Sequence, residues 1–298
     1  MQRLAVLALT LAGICWALGF PLAKLAIREV EPAHMVLLRF MVASVVALPF
    51  ALATAEARAL FRSVPVLLAG SFYGLAFVIQ FEGLAGVTVS LAALLVGAMP
   101  ALIAVAAHLM GERVSRASWI GVVAATAGAA LIAGKPEGAG TAIGITLSLM
   151  SLLVFLAWLL ALKRVPATNS AMAVSAVTLV VATLTVLPVA LLLHGLPSLS
   201  LSAVAWGGIV GQGLLSTFLA TAAWQYGASR VESASAGVFI NIEPLMGAAL
   251  GIWLFGDPAG WPLLLGGALI VMGSIIVVRG ERPDTSHVAA TTYGLSAD

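Results

Sequence analysis

Two stretches decide how this chain is read: Leu91–Glu112, LAALLVGAMPALIAVAAHLMGE, and Ser235–Asp257, SAGVFINIEPLMGAALGIWLFGD. Each is an apolar run of about 20 residues, the length that crosses a bilayer as a helix. Each carries one proline and closes on glycine followed by an acid. Gly83, Val87, Ala92 and Pro100 recur 144 positions later as Gly227, Val231, Ala236 and Pro244. After one inserted residue, Gly111, Glu112, Gly121 and Gly128 recur as Gly256, Asp257, Gly266 and Gly273. Single matches among small residues mean little. A proline, a Gly–acid pair and two further glycines in matched order indicate a duplication.

Similar apolar runs fill the rest of the chain. Charge, proline and glycine bound them at Leu4–Ile27, Ala33–Ala53, Val64–Gly83, Val87–Met110 and Ser118–Ala133 in the first half. The second half has Thr141–Leu162, Ser170–Leu193, Ala203–Gly227, Ser233–Phe255 and Gly260–Val278. The expected fold is all-α and membrane-embedded: ten transmembrane helices in two five-helix repeats. These repeats take residues 1–134 and 141–279, with a linker at 135–140 and a polar, disordered cytoplasmic tail at 280–298. The first run is long, contains Pro21 and is followed by many like it, so it reads as a helix and not as a cleaved signal.

Composition agrees. Hydrophobic residues make up 62% of the 298 and charged residues 9%, against about a quarter charged in soluble domains. A soluble core would need a charged shell that is missing here; lipid removes the need. The net charge of +2 carries no signature of nucleic-acid binding. Cys15, the only cysteine, excludes an intramolecular disulfide and reads as a buried thiol.

Lys and Arg set the orientation. With a cytoplasmic N-terminus, Arg3, Arg58, Arg62, Arg113, Arg116, Lys163, Arg164, Arg230, Arg279 and Arg282 lie inside. Lys24, Arg28, Arg39 and Lys135 lie outside or in the outer leaflet. Both termini are expected to be cytoplasmic. Because five is odd, two such units joined head to tail sit upside down relative to each other, the plan of many secondary transporters.

Enzymatic motifs are absent. Gly134-Lys135 lacks the rest of a phosphate loop, since Ala129 and Pro136 stand where glycine and Ser or Thr are required. Gly211-Gln212-Gly213 lies in an apolar helix with no strand before it. His34, His108 and His194 are scattered near helix ends and read as interfacial. No metal site or cofactor is expected. A membrane enzyme acting on lipid-linked substrates would need acidic or His clusters that are not found.

Polar groups within spans are costly and so informative. Glu243 stands mid-span in Phe239-Ile240-Asn241-Ile242-Glu243-Pro244, where proline disrupts the helix. With Asn241 it reads either as part of a transport path or as a protonated acid satisfied by a neighbouring helix. Gln212, Ser216 and Thr217 line a site or bond between helices, and Gln80 lies in the outer part of its span. Lys24 and Arg39 read as snorkelling cations paired with Glu29 or Glu31. Trp16 and Phe20 share a helix face, as do Tyr73 and Phe77; with Trp158 they are pocket or packing aromatics. Trp224 and Tyr226 read as interfacial. Gly70/Gly74, Gly140/Gly144, Gly207/Gly211 and Gly247/Gly251 permit close helix approach.

Trp16…Phe20-Pro21…Lys24, Pro32…Arg39, Pro100…Gly111-Glu112 and Glu243-Pro244…Gly256-Asp257 together resemble the EamA-type permeases of the drug/metabolite transporter superfamily, most of all the YddG-type exporters of aromatic and other amino acids. The resemblance covers residues 4–279. Asp257 departs from the usual Glu, and Met99 precedes Pro100 where Glu243 precedes Pro244, so any acidic role is single. The resemblance implies a central cavity and export of amino acids or related metabolites across a bacterial inner membrane by alternating access. The rival within the fold is a drug or sugar-like substrate. Candidate substrate residues are Trp16, Phe20, Tyr73, Phe77, Gln80, Met99, Trp158, Gln212, Ser216, Asn241 and Glu243, with Pro100 and Pro244 as helix breaks. The expected partners are a small molecule and the lipid bilayer, and the expected state is a monomer or loose dimer.

Overall fold

In lipid every backbone amide and carbonyl must find its partner within the chain, and a helix meets that need residue by residue. The apolar runs are helices in the computed structural model, which describes residues 2–111, 113–134, 140–166, 168–228, 230 and 239–280. In chain order they are α1 Gln2–Ala26, α2 Pro32–Leu52, α3 Val64–Ala85, α4 Val89–Leu109 and α5 Arg116–Gly134. The second half contributes α6 Ala142–Leu162, α7 Ala171–His194, α8 Ala203–Ala228, α9 Ile242–Phe255 and α10 Trp261–Gly280. Among the described residues eight helices are long and apolar enough to cross a membrane; the apolar segments in α5 and α9 are shorter. Where described, helix limits fall within two residues of the apolar runs. The beginning of the ninth run, Glu112, Val231, Ala236, Lys135, the linker and the expected tail from residue 281 lie outside the described residues.

Outward-facing positions are apolar: Val45 is 74% exposed, Trp253 79% and Leu192 86%. A water-facing surface would place charges there, so this girdle matches a lipid solvent.

The helices pair in a pattern unchanged by exchanging the two halves. α1 packs on α8 as α6 packs on α3, while α2, α4 and α5 pack on their own counterparts α7, α9 and α10. These counterpart pairs run antiparallel. His34 meets the Gly195 carbonyl at 2.9 Å and Ser44 meets Thr183 at 2.8 Å between α2 and α7. Gly251 faces Ser90 and Gly97 faces Pro244 between α9 and α4. Between α5 and α10, Gly121 lies against Gly273 and Gly128 against Gly266. In the duplication Gly121 corresponds to Gly266 and Gly128 to Gly273. Each glycine therefore touches the counterpart of its own neighbour, the cross-pattern of a two-fold interface.

Glycine pairs let the backbones approach. Gly70 and Gly74 face Val181 and Ala182 of α7, Gly144 faces Gly86, and Gly247 faces Ala93. Gly207 corrects the expectation: open space surrounds it, and its neighbour Gly208 is the residue pressed against the Leu22 carbonyl. The helix rotation that decides this is fixed by packing.

The proline breaks also differ in register from the mid-helix kink expected. α4 is interrupted at Gly97 and Ala98, and α9 starts after a turn at Ile240 and Asn241. Pro100 and Pro244 each occupy the first turn of the following segment, where the missing amide has no helical partner to lose. Gly111 and Gly256 adopt φ of 86° and 64° and end α4 and α9 in the left-handed conformation that favours glycine. α8 widens into a π-helix over Gln212–Leu219, and Thr217 Oγ1 donates to the Gln212 carbonyl at 3.0 Å.

Candidate functional site

The helices enclose a cavity of about 520 Å³, within the range of small-molecule sites. Its wall on one side is aromatic. Tyr73 lies 4.9 Å from Trp158, Phe77 lies 4.9 Å from Phe155, and Tyr73 stacks on buried Phe40 at 5.7 Å. Across the cavity Trp16 packs on Trp224 at 5.4 Å. Polar groups are few: Gln80, Thr217 and Glu243 at mid-depth, and Ser175, Thr178, Thr221 and Gln225 further along. The Gln225 amide donates to Ser175 Oγ.

The lining runs to Leu162 at the end of α6, Met172 at the start of α7 and Gln225 near the end of α8. The loops at that end carry Lys163, Arg164 and Arg230. The other end is closed by polar contacts. Lys24 Nζ donates to the carbonyls of Leu84 and Val87 at 2.8 and 2.7 Å, tying α1 to the turn after α3. Asp257 Oδ2 accepts from Ser90 N and Oγ at 2.8 Å each and caps α4. The Thr141 amide donates to the Gly86 carbonyl at 2.8 Å. Glu29, in the turn after α1, accepts from Ser202 N and Oγ at 2.8 and 2.6 Å; these bonds hold its carboxyl below the usual carboxylate range. His194 meets Glu82 at 2.8 Å on the same face.

Beyond Glu243, toward the closed end, lies a smaller pocket of about 40 Å³ lined by Gly19, Phe20, Arg39, Phe81, Gln212 and Ser216, which shares Trp16, Phe77, Gln80 and Glu243 with the main cavity.

Of the residues singled out in the sequence, Trp16, Tyr73, Phe77, Gln80, Met99, Pro100, Trp158 and Glu243 line the main cavity. Phe20, Gln212 and Ser216 line only the smaller pocket. Gln212 is fully buried: it accepts from Arg39 Nη1 at 2.5 Å and donates to the Gly19 carbonyl. Ser216 Oγ donates to the Cys15 carbonyl at 2.6 Å. Asn241 and Pro244 are buried and line neither.

Three readings are corrected. Lys24 and Arg39 do not pair with Glu29 or Glu31: Lys24 caps carbonyls, and Arg39, 2% exposed, is enclosed by Gln212 and phenylalanine rings. Trp224 faces the cavity and not the membrane interface, because the widened turns of α8 reset the face it presents. His34 is buried against the Gly195 carbonyl. The sequence reading missed Phe155, whose spacing of three from Trp158 put it on the same helix face.

An all-helical bundle with an apolar girdle and a one-sided, aromatic-walled cavity defines a multi-pass membrane protein of the carrier class. The chain belongs to the EamA-like transporter family, whose model matches residues 3–134 and 142–279, one copy in each half. It is 25% identical to an uncharacterized transporter of Archaeoglobus fulgidus over 94% of this chain and 99% of that one. It is 28% identical to a probable terminal-alkyne amino-acid exporter of Streptantibioticus cattleyicolor over 95% and 97%. A protein of known crystal structure shares the fold, with a TM-score of 0.64 over 95% of this chain and all of its own at 22% identity.

Proposed function

We propose that this protein is a secondary transporter that exports amphipathic amino acids, aromatic ones among them, or related small metabolites across the bacterial inner membrane by alternating access. The observation that carries the reading is the cavity itself. It extends from the basic face to mid-depth, has aromatic walls suited to an apolar side chain, and carries Glu243 near its inner limit. The named amino-acid exporter among the full-length relatives supports the same substrate class.

Ten spans in two inverted repeats account for the antiparallel contact of each paired helix with its counterpart. The basic face then faces the cytoplasm by the rule that Lys and Arg stay inside, which puts both termini there. The cavity would thus be open inward, with the Lys24 and Asp257 contacts closing the outer side. Two related halves can exchange roles, so that the closure forms in turn on either side. Trp16, Tyr73, Phe77 and Trp158 would hold the substrate side chain, and Glu243 a proton or the substrate ammonium.

Counterflow of labelled phenylalanine in proteoliposomes tests the reading. Saturable exchange that falls in Glu243→Gln is expected. Exchange unchanged in rate and pH dependence in Glu243→Gln would remove this residue from the mechanism, and a lack of saturable exchange would reject phenylalanine as a substrate.

A further inference from the structure

Arg39 is the buried cation of the bundle interior that the transport reading leaves without a task. Its guanidinium lies 4.8, 4.0 and 5.1 Å from the ring centroids of Phe40, Phe77 and Phe81. Nη1 donates to the neutral amide of Gln212, and Nε is buried without a partner. Among the described residues no carboxylate forms an ion pair with it. A cation held at membrane depth by neutral groups alone is costly, and such residues usually mark a ligand or ion path. Aromatic faces and one amide relieve part of that cost; a carboxylate would relieve more.

Glu243 is in the complementary position. Its carboxylate meets no hydrogen-bond donor and no cation among the described residues, although it lines the same small pocket as Arg39. Two opposite charges thus border one space of about 40 Å³ without closing on each other. That space holds a polar head group and little more. It opens through Trp16, Phe77 and Gln80 into the larger chamber walled by Tyr73, Phe155 and Trp158.

From this arrangement we infer that the small pocket is a zwitterion subsite, with Arg39 taking the ligand's carboxylate and Glu243 its ammonium, while the ligand's side chain extends into the aromatic chamber. The inference rests on the transport reading above and deepens it. It requires both charges on one small molecule, so that amines and simple acids with the same side chain are poor ligands. Gln212 acts as a positioning residue, fixing Arg39 by a chain that ends on the Gly19 carbonyl.

The test is counterflow of labelled phenylalanine competed by phenylalanine, by phenethylamine, which lacks the carboxylate, and by 3-phenylpropionate, which lacks the ammonium. Removing a charged hydrogen bond at either end corresponds to about 10- to 100-fold weaker competition, and that is expected of each analogue. In Arg39→Gln the advantage of phenylalanine over phenethylamine should vanish, and Arg39→Lys should restore part of it. In Glu243→Gln the advantage over 3-phenylpropionate should vanish. Because Arg39 also holds Gln212, thermal unfolding of the solubilised wild-type protein supplies a reading free of variants: phenylalanine should raise the midpoint at concentrations where neither analogue does. Exchange of phenylalanine with equal competition by both analogues, or equal thermal shifts, would overturn the subsite and leave transport standing. If none of the three compounds exchanges saturably or shifts the midpoint, the amino-acid reading fails and the subsite with it.

Discussion

Adding one methyl group to the α5–α10 seam should separate two helices that are in backbone contact. A Cβ built on Gly121 would stand 2.5 Å from the Gly273 carbonyl oxygen and 2.9 Å from the Val277 amide. Both obstacles are backbone, so no rotamer change relieves them and the helices must move apart. Overpacking of this kind costs about 1–3 kcal/mol; the better helix propensity of alanine offsets up to about 1 kcal/mol. The net loss is on the order of 1–2 kcal/mol, a fall of roughly 2–8 °C in unfolding midpoint. The same arithmetic applies to the counterpart, Gly266→Ala, whose Cβ would meet the Gly128 carbonyl oxygen at 2.7 Å and Ile132 at 2.6 Å. Gly207→Ala is the control: nothing lies near its Cβ, so propensity alone acts and the midpoint should hold or rise. Thermal unfolding of the purified protein in detergent reads all three. A neutral or stabilising Gly121→Ala, or a Gly207→Ala as damaging as the other two, would refute the seam as described.

Further outcomes follow from single contacts. Asp257→Ala should cost about 1–2 kcal/mol, as loss of a helix cap does, because the Ser90 amide and hydroxyl lose their acceptor; Asp257→Asn should retain most of that stability, and thermal unfolding distinguishes them. Lys24→Met removes two charged hydrogen bonds that tie α1 to the α3–α4 turn, so thiol labelling of a cysteine placed at Ser90 should rise by about tenfold or more; unchanged labelling would show that this contact does not hold the face closed. Glu29 has its carboxyl pKa depressed by Ser202, so its contribution is present above the unfolded carboxyl range and is lost as pH falls through the lower folded value. Unfolding midpoints of wild type and Glu29→Gln should therefore differ at neutral pH and converge in acid; a constant difference would contradict this.

Much of the fold was legible because lipid imposes a simple rule. An apolar run must be a helix, and helix limits fall where the run ends, so the described spans agree closely with the sequence. The duplication was legible at Pro100/Pro244 and at the glycines because these positions tolerate few substitutes. The polar interior was not. Arg39 meets Gln212 across 173 positions of sequence, and nothing near either residue announces the other. Local pairing would give Lys24 a nearby acid, whereas its acceptors are carbonyls freed at the end of α3. Gly207 and Gly208 show the same limit on a smaller scale: composition marks a helix as able to approach a neighbour, and rotation about its axis decides which residue does. Of the candidate site, the aromatic faces on α1, α3 and α6 could be read from spacing. The cavity side of Trp224 could not, because the turns before it are not of α pitch.

That widened stretch, Gln212–Leu219, has a genetic corollary. A π turn accommodates one residue more than an α turn of the same height. Deleting a single residue there would let α8 close into regular pitch and swing everything downstream by roughly 100°, the angle between successive residues at 3.6 per turn. Trp224 and Gln225 would leave the chamber for lipid, while Arg39 and Gln212 upstream stayed where they are. A one-codon length change, neutral in most loops, would here remodel half of a binding chamber and spare the other half.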